Sequence, residues 1–503
     1  MSLSPFPQSY WLASAEVPQF PKLTETLETE IVVIGGGIAG ITTAYLLAKA
    51  GKEVVLVTSG RLLGGTTGHT TAKLTAQHDL IYDEYMQHFG REKAGLYYRA
   101  NQEAIAFVRK VVEEAGISCD LVEEDAYVYA TTEEGEQQVR KEFAAYQELG
   151  IPGELVTEMP LPVSARCALK MPGQARFHPV PYLVYLVKEF VNRGGRVFEH
   201  TEVEKVKEEE PMRAILAPGL EIICRDLVSC SHYPVYESGF FFARVHPESS
   251  YILAARAPGS LIPGMYISAD KPTRSVRSLS YGEDRLLLIA GESHHTGEGG
   301  CTIRHYQALE KWARDQLGVS EFPYRWSTHD YVTTDKLPYI GRVSSKRTHS
   351  YVATGFRKWG MTTGTISALL FRDLLTGQAT PYEELYSPSR FHLDPDVPGL
   401  ASNVGTVAQH FAGAKLEWHW RKLDDLAPGD GAILRVDGRR TAAFRDPQGE
   451  LHLLDATCTH MGCEVEWNEG DRTWDCPCHG SRFTYTGKVV TGPATLPLPK
   501  VER

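Results

Sequence analysis

Two short stretches close to the C-terminal end constrain this chain more than anything else in it. The first reads Cys458-Thr459-His460-Met461-Gly462-Cys463 and the second Cys476-Pro477-Cys478-His479-Gly480-Ser481. One Cys/His pair is spaced by one residue and the other by two, and fifteen residues (461 to 475) separate them. Two loops facing one metal centre account for that pattern. Thiolate donates strongly to one ion, whereas imidazole on a second leaves less negative charge. In a two-iron cluster that mixture raises the potential to between about −150 and +300 mV. The same four residues would also suit a single zinc ion. A zinc finger, however, requires neither the additional cysteine in each loop nor Gly462, Gly480 and Ser481. The remaining cysteines, Cys119, Cys167, Cys224, Cys230 and Cys301, are scattered and lack metal-site spacing.

A second signature lies near the start. Residues 31–34 read as a buried strand, Gly35-Gly36-Gly37-Ile38-Ala39-Gly40 fits G-x-G-x-x-G, a helix is expected over 38–50, and a second apolar strand over 54–57. In such a βαβ opening Gly35 permits the tight turn, Gly37 lets a pyrophosphate approach the helix N-terminus, and Gly40 allows close helix–strand packing. The acidic residue expected at the end of the second strand is missing, because Val57 is followed by Thr58-Ser59-Gly60. Thr58 or Ser59 would supply a weaker hydrogen bond to a ribose.

Helical patterns follow at 94–115, 133–149 and 182–192, and a strand near Val197, which indicates α/β architecture. From 236 to 289 the pattern is strand-rich, with runs at 239–244 and 285–290, so a second sheet is expected there. A strand at 350–354 and a helix at 362–375 read as a return to the first sheet. Residues 386–399 form a Pro- and Asp-rich linker, a short helix is expected near 404–412, and the rest is β-rich. At 503 residues the chain is too long for one core. It divides into an N-terminal extension (1–29), a dinucleotide-binding unit (30–400) with a substrate subdomain around 236–330, and a cluster-binding unit (401–503).

Three further segments carry a resemblance: Gly64-Gly65-Thr66-Thr67-Gly68-His69-Thr70-Thr71-Ala72-Lys73, Thr334-Asp335-Lys336-Leu337-Pro338-Tyr339-Ile340-Gly341, and Ala353-Thr354-Gly355 followed by Lys358-Trp359-Gly360-Met361-Thr362. With the glycine motif they resemble the glycine oxidase and D-amino acid oxidase superfamily over roughly residues 30–377. The last hundred residues, including Gly492-Pro493-Ala494, resemble the Rieske domains of respiratory complexes. The pairing is similar to a group of bacterial fusion oxidoreductases. It implies an α/β fold: a Rossmann-like FAD-binding domain interleaved with a mixed or antiparallel substrate sheet, plus a C-terminal all-β Rieske domain with a [2Fe–2S] cluster.

Residue by residue, the resemblance makes Cys458 and Cys476 ligands of one iron and His460 and His479 ligands of the other. Cys463 and Cys478 become a disulfide joining the loops, against the alternative that both stay thiols, since disulfides are unusual in a cytoplasmic protein. Ser481 matches a serine that donates to a cluster sulfide. Phe483 replaces the tyrosine of high-potential members, which implies a lower potential unless Tyr485 substitutes. On the FAD side, Gly355, Gly360 and Met361 fall beside the flavin ring, and Val203 matches a position whose backbone contacts adenine. His69 sits where some superfamily members attach FAD covalently; a hydrogen-bonding histidine beside the flavin is the expectation here.

A net charge of −11 provides no basic footprint for nucleic acid. No stretch has the 18 or so apolar residues of a spanning helix, and the first twenty residues read as neither secretory signal nor anchor. The expected location is cytoplasmic or peripheral to a membrane. The implied function is an FAD-dependent dehydrogenase acting on a C–N bond of an amine or amino acid. Its electrons leave FAD one at a time through the cluster to an external acceptor such as a quinone or ferredoxin. The alternatives are a reductase running from cluster to FAD and a non-catalytic electron-transfer or redox-sensing protein. No catalytic base can be named; His294, His295 and residues 251–256 lie in the expected substrate region, where ordinary sheet roles compete.

Overall fold

The computed structural model describes residues 7–216, 219–236, 238–413 and 422–502. The buried strand Leu27–Ile34 organises the first sheet, pairing in parallel with Leu220–Ser229 on one side and Val54–Val57 on the other. The path extends through Arg347–Thr354 to Tyr339–Ser344 at one edge and to Arg196–Phe198 at the other. Strands buried on both faces need helical cover. Helix Ile38–Lys49 is buried along almost its whole length and packs against Pro179–Asn192 and Gly360–Thr376. Gly364 makes that contact possible, because a Cβ there would lie 2.8 Å from Ile38 Cγ2.

The second sheet has nine strands and is mixed: Met265–Ser268 runs parallel to Val122–Ala130, and its other pairings are antiparallel. It is wider than the strand-rich stretch suggested, since Val122–Ala130 and Cys167–Arg176 also belong to it. Pro172 and Gly173 disguise the latter strand. They are tolerated beside a register shift at Glu124/Ala126, where an extra residue releases the ladder. The strand expected at 239–244 is corrected: Gly239 and Phe240 adopt left-handed φ values of 102° and 54°, and Phe241–Arg244 forms a helical turn.

Residues before the first strand are seated rather than peripheral. Tyr10 and Trp11 are fully buried, and the Trp11 indole donates to Thr70 O at 2.6 Å. Towards the other end, helix Leu393–Gly413 runs through Ala401. Beyond it lie a three-stranded sheet from Gly431–Val436 to Leu451–Asp455 and a four-stranded one from Glu466–Asn468 to Val489–Thr491.

A buried polar network seats this C-terminal part on the second sheet. Arg482 binds Asp471 at 2.8 Å and Asp475 at 3.0 Å. Asp471 also accepts from Tyr306 Oη at 2.8 Å and from Ser327 Oγ. Arg325 donates to Gly470 O at 2.7 Å, and Thr302 Oγ1 to Asn468 at 2.7 Å. Backbones meet where side chains would obstruct: a Cβ on Gly297 would lie 2.7 Å from Pro477 Cα, and one on Gly480 2.6 Å from Pro247 Cβ. Asp471→Ala leaves Arg482 buried with one of its two carboxylates, so it should destabilise the C-terminal domain by about 3 kcal/mol. Calorimetric unfolding should show the loss, and a change below about 0.5 kcal/mol would mean that the network does not hold the seam.

Candidate functional site

A cavity of about 1220 Å³ runs between the two sheets and reaches the cysteine–histidine loops. Its wall includes Gly35, Gly36 and Gly37, with Thr58, Glu202 and Val203, and also Gly360 and Met361. Gly37, which opens the helix, has no side chain to cap it, and the Ile38 N–H donates to Thr67 Oγ1 at 3.0 Å from the neighbouring loop. Glu202 and Glu204 are the carboxylates on the wall at the Thr58 and Val203 end, where the second strand lacks one.

Gly40 and Gly355 lie behind this wall. A Cβ on Gly40 would collide with the Gly35 carbonyl, and one on Gly355, whose φ is 75°, with Thr333. Their place is in the packing that shapes the loops. His69 is also off the wall: its Nδ1 is 2.9 Å from Gly65 O, while its neighbours Thr67 and Thr70 line the cavity. Asp335, from the second resembling segment, forms a buried ion pair with Arg390, and that pairing holds the segment's turn.

Strand alternation brings Glu248, Ser250 and Ile252 to the cavity face from one strand, and Thr328, Asp330 and Val332 from its neighbour. Glu248 binds Lys358 Nζ at 2.8 Å, and Lys358 also donates to Ser293 Oγ at 2.7 Å. Burial opposes ionisation of Glu248, but His246 and Lys358 outweigh it and hold the carboxyl well below its usual range. Burial pushes Asp330 up to about 6 despite the facing Lys358. His294 and His295 also line the cavity. The first makes a 2.9 Å bond with Tyr251 Oη, and the second donates to Pro477 O at 2.7 Å. None of the Glu248, Thr328 and Asp330 cluster stands out in the sequence. The weak signal was the alternation itself.

The two cysteine–histidine loops use one turn twice. Gly462 N–H donates to Cys458 O and Gly480 N–H to Cys476 O, both at 3.0 Å, with the glycines at φ 82° and 72°. That left-handed conformation explains both glycines. Cys463 and Cys478 are joined as a disulfide across the loops. The Cys458 thiol is drawn down by its hydrogen bond with Cys476, aided by the His460 and Met461 amides and the Ser481 hydroxyl. The His460 and His479 rings stand 5.0 Å apart and nearly perpendicular. Both His479 ring nitrogens are buried without a partner, although the residue is only 1% exposed. Buried orphan imidazole nitrogens beside two thiols are what an absent metal cluster would satisfy. Ser481 Oγ accepts from Ala494 N–H at 3.1 Å, which ties the Gly492-Pro493-Ala494 loop to the centre. Phe483 is fully buried, and Tyr485 packs its ring on Phe444 and His452.

Aromatic rings gather where the cavity meets the loops. His232, Tyr233 and Phe242 line the cavity. Tyr331 lies 4.8 Å from His232 and 5.3 Å from Tyr233, measured between ring centroids, and donates its hydroxyl to His479 O at 2.8 Å. Tyr233 is 5.8 Å from His460, and Phe242 6.4 Å from His479. These four residues carry no motif and were not anticipated.

A family model described as FAD dependent oxidoreductase matches residues 30–374, and one described as Rieske [2Fe-2S] domain matches residues 419–502. The chain belongs to the FAD-dependent oxidoreductase family. This flavoprotein is 44% identical over 497 residues to a Bacillus subtilis (strain 168) protein named as a Rieske 2Fe-2S iron-sulfur protein, covering 99% of this chain and 98% of that one. It is 22% identical to gamma-glutamylputrescine oxidoreductase of Escherichia coli (strain K12), over 75% of this chain and 90% of the relative. The crystal structure of glycine oxidase from Geobacillus kaustophilus shares the fold, with a TM-score of 0.61 and 22% identity over 73% of this chain and 99% of that one.

The oxidoreductase thus binds FAD in its larger part and a [2Fe–2S] cluster in its Rieske domain. Among the described residues no helix is long and apolar enough to cross a membrane. Anaerobically purified flavoprotein should contain about two irons and two sulfides per chain with a Rieske-type electron paramagnetic resonance signal; stoichiometric zinc would contradict this. Because the His69 ring is turned to Gly65 O, acid precipitation should release FAD into the supernatant, and yellow colour kept in the pellet would count against that.

Proposed function

We propose that this flavoprotein oxidises an amine or amino acid at the C–N bond and passes the electrons through its Rieske cluster to an external acceptor. One observation carries the reading: a single cavity is lined by Gly35, Gly36 and Gly37, by Gly360 and Met361 and by His460, with Tyr233 packed against His460 and Phe242 against His479. The names of the relatives, a gamma-glutamylputrescine oxidoreductase and a glycine oxidase, support the choice of bond.

In this reading Gly35, Gly37, Thr58 and Val203 form the dinucleotide end, with Gly40 packed behind it, and Gly360 and Met361 the flavin end, with Gly355 packed behind it and His69 in the neighbouring loop. Cys458 and Cys476 bind one iron and His460 and His479 the other, while the Cys463–Cys478 disulfide braces their loops. Helix Leu393–Gly413 runs across the division expected near residue 401 and through part of the expected 386–399 linker, so the boundary between the two cofactor units is placed after that helix. When bound, FAD takes a hydride from the carbon beside the substrate nitrogen, and the cluster accepts electrons singly. The chain's own contribution is to hold that C–H bond in place. The helix start at Gly360–Met361 would stabilise negative charge on a bound reduced ring, and Tyr233, Tyr331 and Phe242 pack around the two cluster histidines. The acceptor is a quinone, a ferredoxin or a similar one-electron carrier.

Anaerobic bleaching of the flavin by members of an amine and amino-acid library tests the first half. For the second half, His479→Cys keeps a ligand but adds negative charge. The cluster potential should fall, each ~59 mV disfavouring one-electron transfer about tenfold. Substrate should still bleach the flavin at close to the normal rate, while reduction of an acceptor that cannot reach FAD directly drops by at least about tenfold. Unchanged turnover in a variant whose spectrum shows an intact low-potential cluster would remove the Rieske domain from the route.

A further inference from the structure

The cavity face of the second sheet carries a polar group that the reading above leaves unused. Glu248 and Asp330 are direct cross-strand partners, and both face the cavity. Glu248 is neutralised by Lys358, whose ammonium is further occupied by Ser293. Asp330, 4% exposed, takes only the Lys358 backbone amide among its hydrogen bonds and so keeps acceptor capacity. Two residues earlier on the same face, Thr328 Oγ1 is buried with no hydrogen-bond partner, in a residue only 9% exposed. Ser250, across the strand, bonds Ser293 Oγ at 3.0 Å and keeps a lone pair. A buried hydroxyl without a partner is costly unless a ligand supplies one.

We propose that Asp330, Thr328 and Ser250 form a recognition point for a cationic amine nitrogen, and that the substrates are amines with no carboxylate on the carbon bearing that nitrogen. The inference rests on the amine-oxidising reading and narrows it. An ammonium offers three N–H donors, one for each of the three acceptors, and its charge answers the Asp330 carboxylate, which among the described residues has no ion-pair partner of its own and only faces the Lys358 already bound to Glu248. An α-carboxylate on the same carbon would be brought close to Asp330, where like charge repels it. Lys358, the cation that faces Asp330, is held by Glu248 and Ser293 as described.

Matched pairs that differ only in the carboxylate test this on the holoprotein: benzylamine against phenylglycine, and butylamine against 2-aminopentanoate. Anaerobic rapid mixing gives a dissociation constant from the perturbation of the flavin spectrum, apart from the bleaching rate. In each pair the amine should bind at least about tenfold more tightly. Asp330→Asn, which is isosteric, should erase that preference, and Asp330→Glu should keep it. Thr328→Val should weaken amine binding several-fold while the FAD spectrum reports an intact fold. Carboxylated twins binding as tightly as the amines, or an Asp330→Asn variant whose constants all stay within about twofold, would overturn the proposal. Bleaching by amino acids alone would sink this inference and leave the oxidation of C–N bonds standing; bleaching by neither class would sink both.

Discussion

Everything that makes this molecule more than two tethered domains depends on Arg482. Its guanidinium is buried and held by Asp471 and Asp475, and Asp471 in turn takes the Tyr306 and Ser327 hydroxyls of the second sheet. A buried charge without such partners would be strongly unfavourable, so the C-terminal domain is most stable when docked. Docking then sets the remaining contacts of the seam: Tyr331 to the His479 carbonyl, His295 to the Pro477 carbonyl, and the Gly492-Pro493-Ala494 loop along the cavity. His479 is consequently buried with its ring against Phe242, while the half-buried His460 packs against Tyr233 at the cavity wall.

The parts of the site that could be read from the sequence are those whose chemistry is local. Ligand spacing within a loop and glycines at a strand–helix turn act over a few residues, so Cys458, His460, Cys476, His479, Gly35 and Gly37 could be named without a fold. The helix at Glu133–Leu149 was equally plain, since Thr132 caps it and Gly150 ends it in a left-handed turn. What escaped was set by pairing between distant strands. Glu248 and Asp330 become neighbours only through the register of Val245–Arg256 with Tyr324–Thr333. The aromatic residues between the cofactor regions come from separate segments that meet only at the seam. Gly40 and Gly355 illustrate the opposite limit: a motif marks the need for a small residue, but not whether ligand or protein backbone fills the space.

The Rieske part also departs from its pattern in an intelligible way. Phe483 forfeits a hydroxyl at the core of its sheet, and Tyr485 is committed to Phe444 and His452. The phenol that reaches the ligand loops is Tyr331, supplied by the other part of the chain. The polar surroundings of the metal centre are therefore shared property of both units. Neither unit alone presents the same electrostatic environment to its cofactor.

Gly297 and Gly480 give the seam its final character, since each lets one backbone settle where a methyl group would strike Pro477 or Pro247. Two backbones interlocked at that distance leave no room for a side chain between them. In the proposed route, charge would pass between the cofactor regions within one chain, a first-order step whose rate does not depend on dilution, and concentration would enter only where the molecule meets its substrate and its acceptor.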